Sequence, residues 1–453
     1  MYLKNKKVLV FGLGISGLST VKALHKLGAQ IIVCDSKTKD ELKDFFDKIK
    51  DIYVEKHLNT NELPLEDIDL IVKSPGIPPT APILVNAQEK NIEVITDIEL
   101  AYRISPTDNI IAITGTNGKT TTTTLVGEIF KKANCNTYVA GNIGVGILWD
   151  MVNANKDDVF VIEASSFQLE NTIYFKPKVS LVTNIAPDHL NWHGSLDNYI
   201  LSKKKIFKNQ DKYDYTVLNY EDKTLREIQN EVNSNIIWFS ANQKLDNGVF
   251  IDGDYIVLKD GQNLSKILPY RQLKILGKHN LENALGAIAI SWAMGIELEI
   301  IAEVLREFPG VEHRIEYVKT IKGISFYNDS KGTNSDSTIK AIEALEAPII
   351  LIAGGYDKGA EFDELILSFN GKVKELILLG STKEKIKETA INNGFNNVHL
   401  VENMKEAVKL AYNCGEEKDN ILLSPACASW DMYNNFEERG QDFKDAVYGL
   451  KGD

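Results

Sequence analysis

Ile113-Thr114-Gly115-Thr116-Asn117-Gly118-Lys119-Thr120-Thr121 follows the apolar run Ile110-Ile111-Ala112-Ile113 and leads into a helical pattern carrying Leu125, Ile129 and Phe130. Strand, glycine loop and helix in that order form the setting of a phosphate-binding loop. The glycines let successive backbone N–H groups close around phosphate oxygens, and the helix N-terminus adds positive potential. Lys119 is placed to reach the β- and γ-phosphates and the Thr120 hydroxyl to ligate Mg²⁺. The usual first glycine of such loops is absent, its place being taken by Ile113. Thr120 to Thr124 are all threonine, a poor helix start on propensity, so contacts other than propensity must fix them. A tight turn without a ligand is the plainer alternative.

Working outward, apolar strand-like runs alternate with helical periodicity, which predicts α/β domains with largely parallel sheets. At 453 residues the length accommodates about three domains. We place a Rossmann-like N-terminal domain at 1–97 and a P-loop domain at 98–309. A Rossmann-like C-terminal domain follows at 310–453. Val8-Leu9-Val10-Phe11, Ile31-Ile32-Val33 and Leu70-Ile71-Val72 read as the first three strands. The Asp252-Gly253-Asp254 and Asp260-Gly261 turns read as antiparallel hairpins added to the central sheet.

Composition excludes several classes. A net charge of −12 argues against a general nucleic-acid or anionic-membrane binder. Cys34, Cys135, Cys414 and Cys427 are scattered without C-x-x-C spacing, as reduced thiols of a cytoplasmic protein would be. Lys4, Lys6 and Lys7 before Val8–Phe11 imitate a signal peptide, but glycines interrupt the apolar run. A soluble, cytoplasmic chain is expected.

Further motifs fall at strand ends. Gly12-Leu13-Gly14-Ile15-Ser16-Gly17 follows the first strand, and Asp35 ends the second. That is a dinucleotide-binding fingerprint, with the carboxylate placed for a ribose. The segment is short for a complete dinucleotide fold, so a half-fold holding the diphosphate of a nucleotide-linked ligand is the safer reading. Ser74-Pro75-Gly76-Ile77-Pro78-Pro79 forms a stiff loop after the strand at 70–72. Glu163 closes an apolar strand and opens Ala164-Ser165-Ser166-Phe167-Gln168-Leu169-Glu170, where a carboxylate beside a phosphate-loop strand would hold Mg²⁺. His189 ends another strand segment as a possible metal ligand, although a lone histidine is more often structural. In Tyr199–Phe207 three adjacent lysines, Lys203, Lys204 and Lys205, form either a solvated basic face or one inward lysine among outward ones. Asn280 and Asn283 lie one turn apart, and Pro309–Arg314 reads as a hinge. Asp329–Asn334, Gly354–Lys358 and Ser424–Asp431 are three polar loops at strand ends of one domain.

Thr114–Thr121, Ser74–Pro78, Gly277–Asn283, His313-Arg314 and Asp329–Asn334 together resemble the Mur ligases of peptidoglycan precursor synthesis. Glu163–Glu170, Ser424–Asp431 and Asn435–Gly440 resemble the branch of that family that adds D-glutamate to UDP-N-acetylmuramoyl-L-alanine. The resemblance implies three domains, for UDP, ATP and amino acid. It also implies an ATP-dependent amide bond formed through an acyl phosphate. Ile15, Ser16, Asp35, Ser36, Lys37, Ser74, Gly76 and Asn142 would contact the UDP substrate. Gly115, Thr116, Asn117, Gly118, Lys119, Thr120 and Thr121, with Asn283, Arg314 and Asp329, would bind ATP. Thr333, Lys358, Ser429, Trp430 and Phe436 would hold D-glutamate. Thr120, Glu163, His189 and Lys203 would serve two Mg²⁺ ions, with Lys203 carbamylated. Lys119, Glu163, His189 and Lys203 would be the catalytic set, in a monomer with no nucleic-acid or membrane partner. The rivals are a related amide ligase, an NAD-dependent oxidoreductase read from Gly12–Asp35, and a P-loop ATPase of motor or regulatory type.

Overall fold

The computed structural model describes residues 1–142 and 146–450, so the last three residues of the C-terminal segment lie outside it. The first sheet joins β1 (Lys7–Phe11), β2 (Gln30–Asp35), β3 (Glu55–Leu58), β4 (Leu70–Lys73) and β5 (Glu93–Ile95) in the order β3-β2-β1-β4-β5. Every pairing is parallel. The strand at 70–73 is thus the fourth, not the third as its apolar run suggested. β3 reads Glu-Lys-His-Leu and carries no apolar signature, because it is an edge strand with side chains partly in solvent.

The second sheet contains β6 (Ile110–Thr114), β7 (Thr137–Gly141), β8 (Val159–Glu163), β9 (Val179–Val182), β10 (Tyr215–Asn219) and β11 (Asn235–Ser240). β12 (Gly248–Asp252), β13 (Tyr255–Asp260) and β14 (Asn263–Pro269) complete it, in the order β14-β13-β12-β11-β10-β9-β6-β8-β7. Only the β12–β13 and β13–β14 pairings are antiparallel, in agreement with the hairpins expected from the Asp-Gly turns. β6 runs between β8 and β9 and is buried along its whole length, as a central parallel strand with both faces covered must be.

The third sheet joins β15 (Glu316–Ile321), β16 (Ile324–Asn328), β17 (Ile349–Ala353), β18 (Val373–Leu378), β19 (Val398–Leu400) and β20 (Asn420–Leu423). Its order is β15-β16-β20-β17-β18-β19, with only β15–β16 antiparallel. Side chains alternate between two cores: Ile349, Leu351 and Leu376 on one face, Ile350, Ile352 and Ile377 on the other.

The chain divides into two compact units, Met1–Gln272 with Glu282–Arg306, and Leu273–Leu281 with Glu307–Asp453. The first unit contains two sheets because one apolar core runs through both, taking in Val8, Val10 and Val33 as well as Ile147, Leu148 and Phe160. Helix Ile147–Asn153 packs on helices Ile15–Lys26 and Asp97–Ile104. Ser19 ties that contact, its Oγ donating to the Gly146 carbonyl at 2.6 Å and accepting from Trp149 N at 2.9 Å. Among the described residues, no helix is long and apolar enough to cross a membrane.

Candidate active site

The phosphate loop leaves β6 at Thr114 and enters helix Lys119–Lys132. Gly115 and Gly118 take φ of +143° and +86°, conformations that side chains rarely adopt, and this is why the glycines fall there. A Cβ on Gly118 would stand 2.2 Å from the Asn283 Oδ1, so Asn283 is seated directly on the loop. The loop is braced from the end of β9. Thr183 Oγ1 donates to the Asn117 carbonyl at 2.6 Å, Asn184 Oδ1 accepts from Asn117 N at 2.9 Å, and the Asn184 carbonyl accepts from Thr116 N at 2.9 Å. Thr116 Oγ1 lies 3.1 Å from the Tyr199 hydroxyl. Within the threonine run two hydroxyls bond back one turn, Thr122 to the Gly118 carbonyl and Thr124 to that of Thr120, so these polar groups are satisfied inside the helix. Thr120 and Thr121 sit in the first turn, Thr121 buried. Lys119 curls over the loop, its Nζ 3.0 Å from the Gly115 carbonyl and 2.9 Å from that of Thr116.

Lys203 reaches the same Gly115 carbonyl, at 2.8 Å, from helix Leu196–Lys204. Its side chain is almost fully buried, whereas Lys204 pairs with Glu231 and Lys205 with Glu170. Lys205 caps the helix rather than continuing it to Phe207, so the helix ends earlier than its sequence pattern suggested. Burial first, then the nearby Lys119 ammonium, hold the Lys203 amine well below its ordinary pKa, against the opposing pull of Asp188 and Glu163. Burying an ammonium costs several kcal/mol, which shifts the balance toward the neutral amine. Glu163, at the end of β8, is also buried. Its Oε1 accepts from Asn142 Nδ2 at 2.9 Å, and its Oε2 has no partner among the described residues. An orphaned, buried carboxylate oxygen beside a phosphate loop fits a hard cation such as Mg²⁺.

His189 is placed less tightly. It takes φ 52° and is half-exposed, its ring tilted against that of Phe167 with centroids 4.8 Å apart, and it lies 3.5 Å from Asp188. Among the described residues, the only group of three or more histidine, cysteine or acidic side chains close enough to share a metal is Glu312, His313 and Glu316. There Lys444 already donates to both glutamates and so serves as the cation. His193, which the sequence reading passed over, is the buried histidine of this region, between the hydroxyls of Ser166 (3.0 Å) and Ser202 (3.3 Å).

At the glycine turn after β1, Asp35 is turned inward. Its Oδ2 accepts from Leu13 N at 2.7 Å and its Oδ1 from Lys37 N at 2.9 Å, so the carboxylate clamps the loops it was expected to serve as a ligand contact. Ile15 is exposed at the start of its helix, and Ser36 and Lys37 are exposed beyond β2. Ser74 N donates to the Phe11 carbonyl at 2.7 Å, and a Cβ on Gly12 would stand 2.7 Å from the Ser74 Cβ. The Gly12 turn and the Ser74–Gly76 loop are therefore in contact. Asn142 is on the neighbouring sheet, at Glu163.

In the second unit the three polar loops follow β16, β20 and β17, which are adjacent in the sheet. Backbone bonds join them: Ala426 N to the Gly332 carbonyl (2.9 Å), Gly354 N to Pro425 (2.8 Å) and Tyr356 N to Ala428 (2.8 Å). Asp329 is buried and accepts from Ser424 Oγ at 2.7 Å. Burial pushes it up to about 6 despite the pull of Arg314, whose own Nε is buried without a partner among the described residues. The Lys358 ammonium lies 4.7 Å from the Trp430 ring centre, next to buried Ser429. Phe436 opens helix Phe436–Tyr448 under Lys331, near Thr333 in sequence. Arg439, not assigned from the sequence, is buried and donates to Ser330 Oγ, the Ser330 carbonyl and the Cys427 carbonyl. It knits two of the loops, and only the resemblance of Asn435–Gly440 pointed near it.

Three family models match the chain: Mur ligase MurD-like, N-terminal domain over residues 6–96, Mur ligase middle domain over 113–291, and Mur ligase, glutamate ligase domain over 313–427. A UDP-N-acetylmuramoylalanine--D-glutamate ligase of Thermoanaerobacter sp. (strain X514) is 49% identical over 454 residues, covering 100% of both chains. One of Clostridioides difficile (strain 630) is 47% identical over 452 residues, again covering 100% of both. Among solved structures, the UDP-N-acetylmuramate-alanine ligase of Thermotoga maritima superposes with a TM-score of 0.62 at 19% identity, covering 98% of this chain and 100% of that one. A pseudomurein peptide ligase type C from Methanothermus fervidus gives a TM-score of 0.57 at 19% identity, covering 99% and 100%. With all three segments matched and relatives near half-identical from end to end, the chain belongs to the Mur ligase family.

Proposed function

We propose that this ligase joins D-glutamate to UDP-N-acetylmuramoyl-L-alanine, using ATP, in cytoplasmic assembly of peptidoglycan precursors. The relatives that are near half-identical over the full length bear the name of that reaction. The structural observation that carries the reading is the phosphate loop, on which Lys119 and the buried Lys203 share one carbonyl beside the unpartnered Glu163 oxygen.

In the proposed reaction an acceptor carboxylate oxygen attacks the γ-phosphorus and ADP leaves. The amine of D-glutamate then attacks the acyl phosphate, an amide bond forms and inorganic phosphate departs. Loop amides and Lys119 hold the β- and γ-phosphates and neutralise the charge that moves during transfer. The Thr120 hydroxyl, Glu163, His189 and a carbamate on Lys203 would hold Mg²⁺, which when bound screens phosphate charge from the attacking carboxylate. The neutral amine favoured at Lys203 is the form that adds CO₂. Ser74, Asn142 and the Gly12–Gly17 turn bind the acceptor. Lys358, Ser429, Trp430, Thr333 and Phe436 bind D-glutamate, and Arg314 and Asp329 complete the nucleotide site. The domains divide at 1–97, 98–309 and 310–453, and the chain acts as a monomer.

The test is phosphate release by purified protein with ATP, the UDP-linked acceptor and each enantiomer of glutamate. Release that requires both the acceptor and D-glutamate is expected. Release with ATP alone, or equally with L-glutamate, would overturn the reading.

A further inference from the structure

Beneath the proposed acceptor and metal positions, one side chain without an assigned role joins three loops. Asp97 opens helix Asp97–Ile104 and is 1% exposed. Its Oδ1 accepts from Ile98 N at 2.9 Å and from Gln168 Nε2 at 3.1 Å, and its Oδ2 from the same Nε2 at 3.3 Å. The side chain of Ser16, on the Gly12–Gly17 turn, also hydrogen-bonds to it. Gln168 is committed at its other end, its Oε1 accepting from Ser165 N and Oγ, both at 3.1 Å, in the turn that follows Glu163. Thr96 Oγ1 adds a bond to the Gln168 carbonyl at 2.7 Å. The third loop enters through Lys73, also 1% exposed. Its Nζ donates to the carbonyls of Pro75 and Ile77, which fixes the Ser74–Gly76 loop, while its charge acts on Asp97 and Glu170.

Stability alone does not account for this arrangement. Burying a carboxylate is costly even when it is hydrogen-bonded. What this one does is join groups distant in sequence in one fixed geometry: Gln168 follows Asp97 by 71 residues. We propose that Asp97 is a positioning residue for ligation, locking the acceptor-binding turn at Ser16 to the strand end at Glu163 so that the acceptor carboxylate meets the phosphate loop in register. This rests on the ligase reading above. A misplacement of about 1 Å in such a site costs roughly a hundredfold in rate.

The experiment compares Asp97→Asn, Ser16→Ala and the double variant by steady-state kinetics in acceptor, ATP and D-glutamate, alongside thermal unfolding. The amide of Asp97→Asn matches the carboxylate in shape but cannot accept on both atoms from Gln168 and Ser16. Expected is a kcat loss of tenfold or more at saturation, with the KM for ATP within twofold of wild type. Ser16→Ala should lower kcat in the same direction, and should add nothing to the kcat loss in the Asp97→Asn background. Unchanged kcat in Asp97→Asn, with or without a lower melting temperature, overturns the proposal, as do effects that simply multiply. If Asp97→Asn does not fold, Gln168→Met decides: the same kcat loss supports the proposal and unchanged kcat overturns it. Failure of the ligase reading would appear separately, as wild-type protein that forms no ADP with acceptor and D-glutamate.

Discussion

Two glycine-rich turns join a central parallel strand to a helix in the first unit, and they are built to opposite charge. The turn after β1 is clamped by a carboxylate, Asp35, whose oxygens take the amides of Leu13 and Lys37. The turn after β6 is clamped by hydroxyl and amide side chains, Thr183 and Asn184, and two lysines close over it. The carboxylate of the first turn is thus spent on its own backbone amides. The second turn receives the Lys119 ammonium in a chain that is acidic as a whole, and the buried Lys203 amine beside it. Similar glycine spacing therefore says little about the ligand, and the side chains that seat the loop say more.

The contrast breaks most sharply at Lys119. Lys119→Ala is expected to lower ligation about a thousandfold or more with folding intact, since loss of a charge aimed at the transferring phosphoryl group has effects of that order. Ligation rate and far-UV circular dichroism check this. At Lys203, alanine is expected to cost about a hundredfold and wild-type activity to fall in CO₂-depleted buffer. Lys204→Ala and Lys205→Ala remove only partly exposed ion pairs and should stay within about threefold. Activity of all three variants near wild type would leave a basic face and no buried ligand. The first turn should respond differently: Asp35→Ala frees two amides, and hydrogen bonds to a charged group contribute about 1.5–3 kcal/mol each. The expected result is a roughly tenfold rise in the KM for the UDP substrate with that for ATP unchanged. A rise in the KM for ATP would show that the two turns do not act separately. The smallest effect is expected at Trp430→Leu, which removes a cation–π contact with Lys358 of about 0.5–1 kcal/mol. The KM for D-glutamate should rise about twofold to fivefold, as read from initial rates.

The sequence made the parallel framework legible where strands are buried on both faces, as in β6, β8 and β17, because those positions tolerate only apolar residues. β3, with Glu-Lys-His-Leu, and β5, with three residues, were not legible, because edge and short strands leave side chains in solvent. That three adjacent lysines cannot all turn inward was legible, since adjacent helix positions point about 100° apart, but the choice of Lys203 came from the family resemblance and not from the pattern. The roles of Asp97, His193 and Arg439 were not. Each is a polar side chain buried by partners outside its own element, such as Ser330, 109 residues before Arg439, and local pattern has no record of such partners. The clamping role of Asp35 was hidden for a related reason: a strand-end carboxylate looks the same in sequence whether it faces a ribose or its own backbone.

The position of β6 between β8 and β9 also bears on how the protein is made. A chain emerging from the ribosome at about 5–20 residues per second presents Gly115 roughly 4–18 s before Lys203, which follows it by 88 residues. During that interval β6 has neither neighbour to cover its edges at first, and its loop lacks Thr183, Asn184 and the second lysine. The nascent segment is thus an apolar strand in need of shielding, and it lacks the groups that would let it bind nucleotide tightly. A chain halted before residue 183 therefore carries the loop without the side chains that seat it.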